Sequence, residues 1–192
     1  MSGAEDKRSD AALMAGIAAG EQSAYAALVS RHSMRFFRLA YRLTGRHEDA
    51  EDVVQDAFVQ LWRAPHMWDP THGSLFTTWF YQVISNRALS LRRQAARHPQ
   101  EALGDIVDSQ CGAEETLNAK HRRLWLESRI RALPERQKLA LVLCFYEELS
   151  NQDAAEVMGI GIKALQSLLM RAKATLREDI NSFDELKAGG QG

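Results

Sequence analysis

Between Asp49 and Trp62 the apolar residues Ala50, Val53, Val54, Ala57, Phe58, Leu61 and Trp62 recur at helical spacing. They form one continuous stripe on a helix. The other faces carry Glu48, Asp49, Glu51, Asp52, Gln55 and Asp56, with no Lys or Arg between Arg46 and Arg63. Acids at the start of a helix favour its positive dipole end, which accounts for a single acidic turn. Here they persist for over two turns, ahead of a basic, aromatic segment, and that pairing suggests a protein partner plus a nucleic acid. Upstream, Ser9 or Asp10 caps a helix running to about Ala19, with Gly20 as its stop. Ser23 then caps a helix over Ala24–Leu43 that turns Tyr25, Leu28, Val29, Phe36, Leu39, Ala40 and Leu43 inward, and Thr44-Gly45 ends it. Residues 1–9 read as a disordered tail.

After Pro65 the run Trp68–Ser74 is turn material, with an Asp-Pro step and a Gly. Ser74 caps a helix from Leu75 to about Arg97, stopped by His98-Pro99. Periodicity is then lost in an acidic stretch, 99–114, which is read as a flexible linker. A helix follows over Leu117–Ala132, and Pro134 opens the next, Glu135–Glu147. Ser150 with Asp153 forms a capping box before a short helix through Met158, which Gly159 stops. Ile160-Gly161 makes the turn into a last helix, Ile162 to about Ile180, and the chain from Phe183 is expected to fray. No run of alternating β-branched residues predicts a strand. The class is all-α, with two small helical domains, 10–98 and 115–182, on either side of the linker.

Two helices have faces that could carry chemistry. Advancing about 100° per residue, Ile162, Leu165, Leu169, Ala172 and Leu176 share a core side of the last helix. Lys163, Gln166, Ser167, Met170, Ala174 and Arg177 lie opposite, with Arg171 and Lys173 at the margins. A short helix, a Gly-containing turn and such a helix fit a helix-turn-helix that reaches phosphates and base edges. The same spacing fits an ordinary helical hairpin with a solvated face. On Leu75–Arg97 the core side holds Phe80, Ile84, Ala88 and Leu91. Trp79, Gln82, Asn86, Ser90, Arg93 and Arg97 lie opposite, and Arg87 and Arg92 add charge at the edges. An exposed aromatic, amides and arginines on one side suit single-stranded nucleic acid; a lone Trp at this position also fits a core.

Composition narrows the class. The 192 residues carry a formal net charge of −1 and are 45% hydrophobic. That is enough apolar material for a packed core, but a free-standing DNA binder usually shows a basic excess. DNA contact must therefore be local or assisted. Cys111 and Cys144 form no CxxC, so a reducing compartment is expected. The start, MSGAEDKRSD, lacks a signal peptide's apolar run, and no apolar run is of membrane-spanning length. A cytoplasmic protein without membrane insertion is predicted. The six histidines show no HxxxH or HExxH spacing, and no GxSxG or phosphate-cradling glycine loop occurs. Neither an enzyme nor a metal or cofactor site is predicted.

The segment from AYAALVSRHSMRFFRLAYRLTGRHEDAEDVVQDAFVQLWRA through GSLFTTWFYQVISNRAL resembles the second region of extracytoplasmic-function (ECF) sigma factors. LPERQKLALVLCFYEELSNQDAAEVMGIGIKALQSLLMRAKATLRE resembles their fourth region. The resemblance implies that Asp52, Gln55 and Asp56 dock on the clamp helices of the RNA polymerase β′ subunit. It places Asn86 in a pocket for a flipped base of the −10 element, with Trp79 as an aromatic of that module. It assigns Lys163, Gln166, Ser167, Met170, Arg171 and Lys173 to the helix that reads the −35 element. Ser167–Lys173, SLLMRAK, departs from the family's usual run, because Leu168 and Met170 stand where an Arg and an aromatic or His are common. A weaker electrostatic contribution at −35 follows. An anti-sigma factor, membrane-associated or soluble, is a further implied partner. The competing reading is a free-standing helix-turn-helix regulator with an N-terminal sensing domain.

Overall fold

The structure is a computed structural model that describes residues 6–97 and 117–189. Among the described residues the secondary structure is helical, without strands. They fall into two compact units, each built of helices. The expected linker, 99–114, and Cys111 lie outside the described residues.

The first unit comprises α1 (Asp10–Ala18), α2 (Gln22–Thr44), α3 (His47–Arg63) and α4 (Phe76–Arg97). Ser9 caps α1, its hydroxyl accepting from the Ala12 N–H at 3.2 Å. Residues 6–9 are not a loose tail. Arg31 donates to the Asp10 carboxylate at 2.6 Å and to the Arg8 carbonyl at 2.9 Å, and Arg8 meets Glu21 at 2.9 Å. α2 starts one turn-fraction earlier than expected, at Gln22, so Ser23 lies inside it rather than at its cap. Gly16 is required where α1 crosses α2: a Cβ there would come within 2.9 Å of the Ala24 Cβ. The core of the unit is aromatic. Phe36 of α2, Phe58 of α3 and Phe76, Phe80 and Tyr81 of α4 are all buried, and the Phe80 ring lies 4.7 Å from Phe36, 4.8 Å from Phe58 and 5.2 Å from Phe76. Trp68, between two short 3-10 turns at Pro65–Met67 and Pro70–His72, closes one end against Phe76. Trp62 does not complete the α3 stripe. It is partly exposed, and its ring tilts against Tyr25 at 5.1 Å.

The second unit comprises α5 (Leu117–Ala132), α6 (Glu135–Leu141), α7 (Asn151–Met158) and α8 (Ile162–Gly189). Ile130 and Leu133, Leu141 of α6 and Ala172 of α8 form a core cluster, with Leu126 and Leu176 packed against it. The expected helix Glu135–Glu147 is α only to Leu141 and continues as a π turn over Val142–Tyr146. The Glu147 N–H reaches the Val142 carbonyl at 3.0 Å, and the Leu149 N–H reaches Leu143 at 3.0 Å. That wider ending leaves Glu148 at φ 55°, a left-handed position usually given to Gly. Lys138, on α6, is buried at 1% exposure although a lysine ordinarily marks the solvent side. α8 runs past Ile180 to Gly189 because no Gly or Pro interrupts Asn181–Ala188. Its Asp179 ties it to α5 through a two-pronged pair with Arg129, at 2.8 and 2.7 Å.

Two stability effects follow. A left-handed conformation costs an L-residue roughly 1–2 kcal/mol, part of which glycine's greater chain entropy offsets. Glu148→Gly should therefore stabilise the second unit by about 0.5–1 kcal/mol, read as increased amide protection across α6–α8 by hydrogen exchange. The Arg129 guanidinium, hydrogen-bonded to Asp179, holds that carboxyl below its ordinary value near 3.8. A depressed carboxyl pKa adds stability above its unfolded-state value and loses it as pH falls through the folded-state value. Acid titration should loosen the α5–α8 packing below about pH 4, and Asp179→Asn should remove that component of the acid sensitivity in a urea series across pH.

Candidate partner and nucleic-acid interfaces

The same helical period that buries Ala50, Val53, Val54, Ala57, Phe58 and Leu61 of α3 turns Asp52, Gln55 and Asp56 to solvent, where all three are exposed. Asp56 is not an isolated acid. Its Oδ2 lies 3.1 Å from the Arg87 guanidinium of α4, and the Arg87 side chain is 24% exposed against 71% for Asp56. The pair links the acidic helix to the basic one. Charge on this face is therefore graded: Asp52 and Gln55 stand at the acidic end, and Asp56 is partly neutralised where α3 meets α4.

On α4, burial of Phe76, Phe80, Tyr81, Ile84, Ala88 and Leu89 fixes the rotation of the helix. Gln82, Asn86, Ser90 and Arg93 are exposed as the period requires, in one row. Trp79 departs from the expected exposed position. It is half-buried, with its ring 6.0 Å from Phe76 and 5.8 Å from Phe80. The aromatic core continues into it. Arg97 ends α4, and its side chain lies outside those described. The row presents an amide that both donates and accepts at Asn86, flanked by a second amide, a hydroxyl and a cation. That set can hydrogen-bond a base edge and neutralise a phosphate.

In the second unit the Ser150 hydroxyl accepts from the Asp153 N–H at 3.1 Å and donates to the Asp153 carboxylate at 2.6 Å. This starts α7. Gly159, at φ +60°, turns the chain, and the Ile160 N–H returns to the Ala155 carbonyl at 3.0 Å. Ala154, Ala155 and Val157 of α7 and Leu165, Leu169 and Ala172 of α8 are buried. The two helices and their three-residue turn have the helix-turn-helix form. Lys163, Gln166, Met170, Arg171, Lys173 and Arg177 of α8 are exposed, while Ser167 is half-buried. Ile162, expected in the core, is 43% exposed because it is the first residue of the helix and lies beyond the packed turn.

Lys173 has a partner that the sequence did not indicate. Its Nζ sits 4.7 Å from the centroid of the Phe145 ring, which projects from the π turn of α6. The same ammonium is close enough to Cys144 to oppose the upward shift that burial imposes on that thiol. No periodicity argument finds Phe145, because the π turn changes which residues the end of α6 presents.

The comparisons with known proteins agree with this layout. Residues 28–98 match the family model described as Sigma-70 region 2, and residues 123–176 match that of Sigma-70, region 4, together more than half of the chain. The ECF RNA polymerase sigma factor SigM of Mycobacterium tuberculosis is 32% identical over 91% of this chain and 86% of its own length. The ECF RNA polymerase sigma factor SigE of Mycolicibacterium smegmatis is 29% identical over 84% of this chain, which spans 64% of that protein. Among solved structures, CnrH in complex with the cytosolic domain of CnrY matches with a TM-score of 0.67 and 26% identity, covering 90% of this chain and 97% of that one. A free-standing regulator does not account for a region 2 and a region 4 in that order on one chain. The protein belongs to the ECF sigma factors of RNA polymerase.

Proposed function

We propose that α3 docks the chain on core RNA polymerase, that α4 receives the −10 element as a single strand, and that α8 reads the −35 element as duplex. As an ECF sigma factor the chain binds core polymerase and directs promoter-specific initiation; the proposal assigns each step to residues. The observation that carries it is the division of charge within one packed unit. The exposed face of α3 bears Asp52, Gln55 and Asp56, while the exposed row of α4 bears Gln82, Asn86, Ser90 and Arg93 and the helix holds no acid. An acidic face meets the β′ clamp helices, and the neutral-to-basic row meets DNA. Lys163, Gln166, Ser167, Met170 and Arg171 of α8 enter the major groove, with Lys173 held beside Phe145 at the rim. Arg97 extends the phosphate contacts of α4.

The chain supplies binding and no catalytic step; bond formation belongs to the polymerase. It works in the cytoplasm, where core polymerase and promoter DNA are; no described helix is long and apolar enough to cross a membrane. An anti-sigma factor covers the docking faces until a signal releases them. The complex of CnrH with the cytosolic domain of CnrY supports a protein occupant on a fold of this kind.

Two variants test the assignment. Asp56 is held by Arg87, so Asp52 is the cleaner probe of docking. Asp52→Arg should lower affinity for core polymerase by at least tenfold, since like-charge juxtaposition at an interface costs several kcal/mol, with the helical circular dichroism unchanged. Normal recovery of core polymerase by the variant would remove α3 as the docking helix. Asn86→Ala should leave polymerase binding intact, slow open-complex formation and relax the base choice at one −10 position by roughly 1–3 kcal/mol. Transcription from a promoter library reads both effects. An unchanged −10 preference and melting rate would make Asn86 a surface amide without a specific role.

A further inference from the structure

Phe145 is left over by this division of labour. Its side chain is 54% exposed, although phenylalanine is among the residues most often buried. The π turn that ends α6 presents the ring to α8, where the Lys173 ammonium sits over it, 4.7 Å from the centroid. Lys173 lies about 16 Å along the axis from Ile162, at a rise of roughly 1.5 Å per residue. A recognition helix reads bases with its N-terminal residues. Lys163 and Gln166 are therefore placed for base edges, and Lys173 for the phosphates beyond them. At about 100° per residue, Lys173 falls within roughly 20° of Gln166 around the helix. Both are exposed, so the lysine continues the edge that Gln166 begins.

An exposed lysine on its four-carbon stem samples many rotamers, and gripping a phosphate costs that freedom. A partner that orders the side chain beforehand removes part of the cost. The face of an aromatic ring attracts an ammonium without cancelling its charge. A carboxylate in the same place would cancel it, as Asp56 partly does for Arg87 in the first unit. The half-buried Cys144 thiol is also within reach of the ammonium, so Lys173 lies over two successive residues of the π turn. An exposed ring can be an apolar anchor for a protein, but an anchor offers its face to the partner, and here Lys173 covers that face. We propose that Phe145 is a positioning residue for −35 binding, holding the Lys173 ammonium where the DNA backbone flanks the major groove. The inference rests on the assignment of α8 to the −35 element and adds to it a residue outside the recognition helix.

The test uses holoenzyme reconstituted from the full chain and core polymerase. Its probe is duplex DNA spanning the −35 element of a promoter recovered in the library experiment, bound as a closed complex. Phe145→Leu keeps an apolar side chain and removes the ring. It should lower affinity about two- to fivefold, the range of an exposed cation–π contact, and equally for the native and a mutated −35 sequence. Phe145→Tyr should restore the native value. Lys173→Ala should lower affinity and flatten the slope of log affinity against log salt by about 0.9, the duplex value for one phosphate contact. In that background Phe145→Leu should add nothing. If it weakens binding there as much as in the native chain, the ring acts without the lysine and the positioning role is wrong. If Phe145→Leu weakens binding to core polymerase while the assembled holoenzyme binds DNA normally, the ring belongs to a protein interface and the role is wrong. If Phe145→Leu is inert and Lys173→Ala is not, the lysine needs no holding: the role falls and the −35 assignment of Lys173 stands. An inert Lys173→Ala would overturn that assignment, and the positioning role with it.

Discussion

Phe80 is the residue on which the arrangement of the first unit depends. Its ring meets Phe36 of α2, Phe58 of α3 and Phe76 of its own helix within 5.2 Å. Aromatic rings pack in tilted or edge-on geometries that tolerate little rotation, and each contributes a large apolar area to the core. Once Phe80 is seated, the helical period leaves no freedom over what α4 shows to solvent. Gln82, Asn86, Ser90 and Arg93 must face outward. The same holds on α3, where seating Phe58 and Leu61 obliges Asp52, Gln55 and Asp56 to stand clear. The candidate faces are consequences of one aromatic junction, and side chains on them need no contact of their own to be positioned.

What could be read beforehand was whatever the period of 3.6 controls. The helix Leu117–Ala132, the stripe from Ala50 to Leu61, the Ser150 cap and the Gly159 turn all follow from local rules of spacing and capping. The departures occur where a tertiary contact outranks a local preference. Trp79 is drawn half inside because Phe76 and Phe80 offer it a surface. Lys138 is buried on α6, although a lysine ordinarily lies on the solvent side. Residues 6–9 are fixed by Arg31, a partner more than twenty positions away. The π turn at Val142–Tyr146 adds a residue to one helical turn, so the end of that helix is rotated relative to the expected face. That single insertion explains why the Phe145–Lys173 contact was not legible, and why Glu148 is forced into a left-handed conformation without a glycine to announce it.

The candidate site residues divide in the same way. Exposure of Asp52, Gln55, Asp56, Asn86, Lys163 and Gln166 was legible, because exposure is the complement of a hydrophobic stripe. Partnership was not. Asp56 and Arg87 are 31 positions apart, and only the packing of α3 on α4 brings them to 3.1 Å. This pair alters the meaning of an acidic face. A surface ion pair contributes little to stability, but it lowers the net charge at one end of the face and leaves Asp52 as its most strongly negative point. The acidic helix therefore offers a graded surface, with Asp56 paired to α4 at its neutralised end.

That grading bears on how a chain of formal net charge −1 can serve as a DNA-directing factor. Non-specific affinity for DNA scales with the number of phosphates neutralised and is carried by cations regardless of sequence. A protein with a basic excess would be held on bulk DNA before meeting its polymerase. Here eight arginines lie on α2 and α4 and are partly offset, within the same unit, by the five acids of α3. In the free chain these fields oppose one another, most closely at the Asp56–Arg87 pair, 3.1 Å apart and well inside the screening length of about 8–10 Å. Docking of α3 on a basic protein surface would remove the acids from that balance and leave α2 and α4 as the dominant field toward DNA. Affinity for the promoter would then rise because polymerase is bound, without any change of shape in the chain. The acids of α3 thus offset part of the basic charge of α2 and α4, and a single partner can lift that offset.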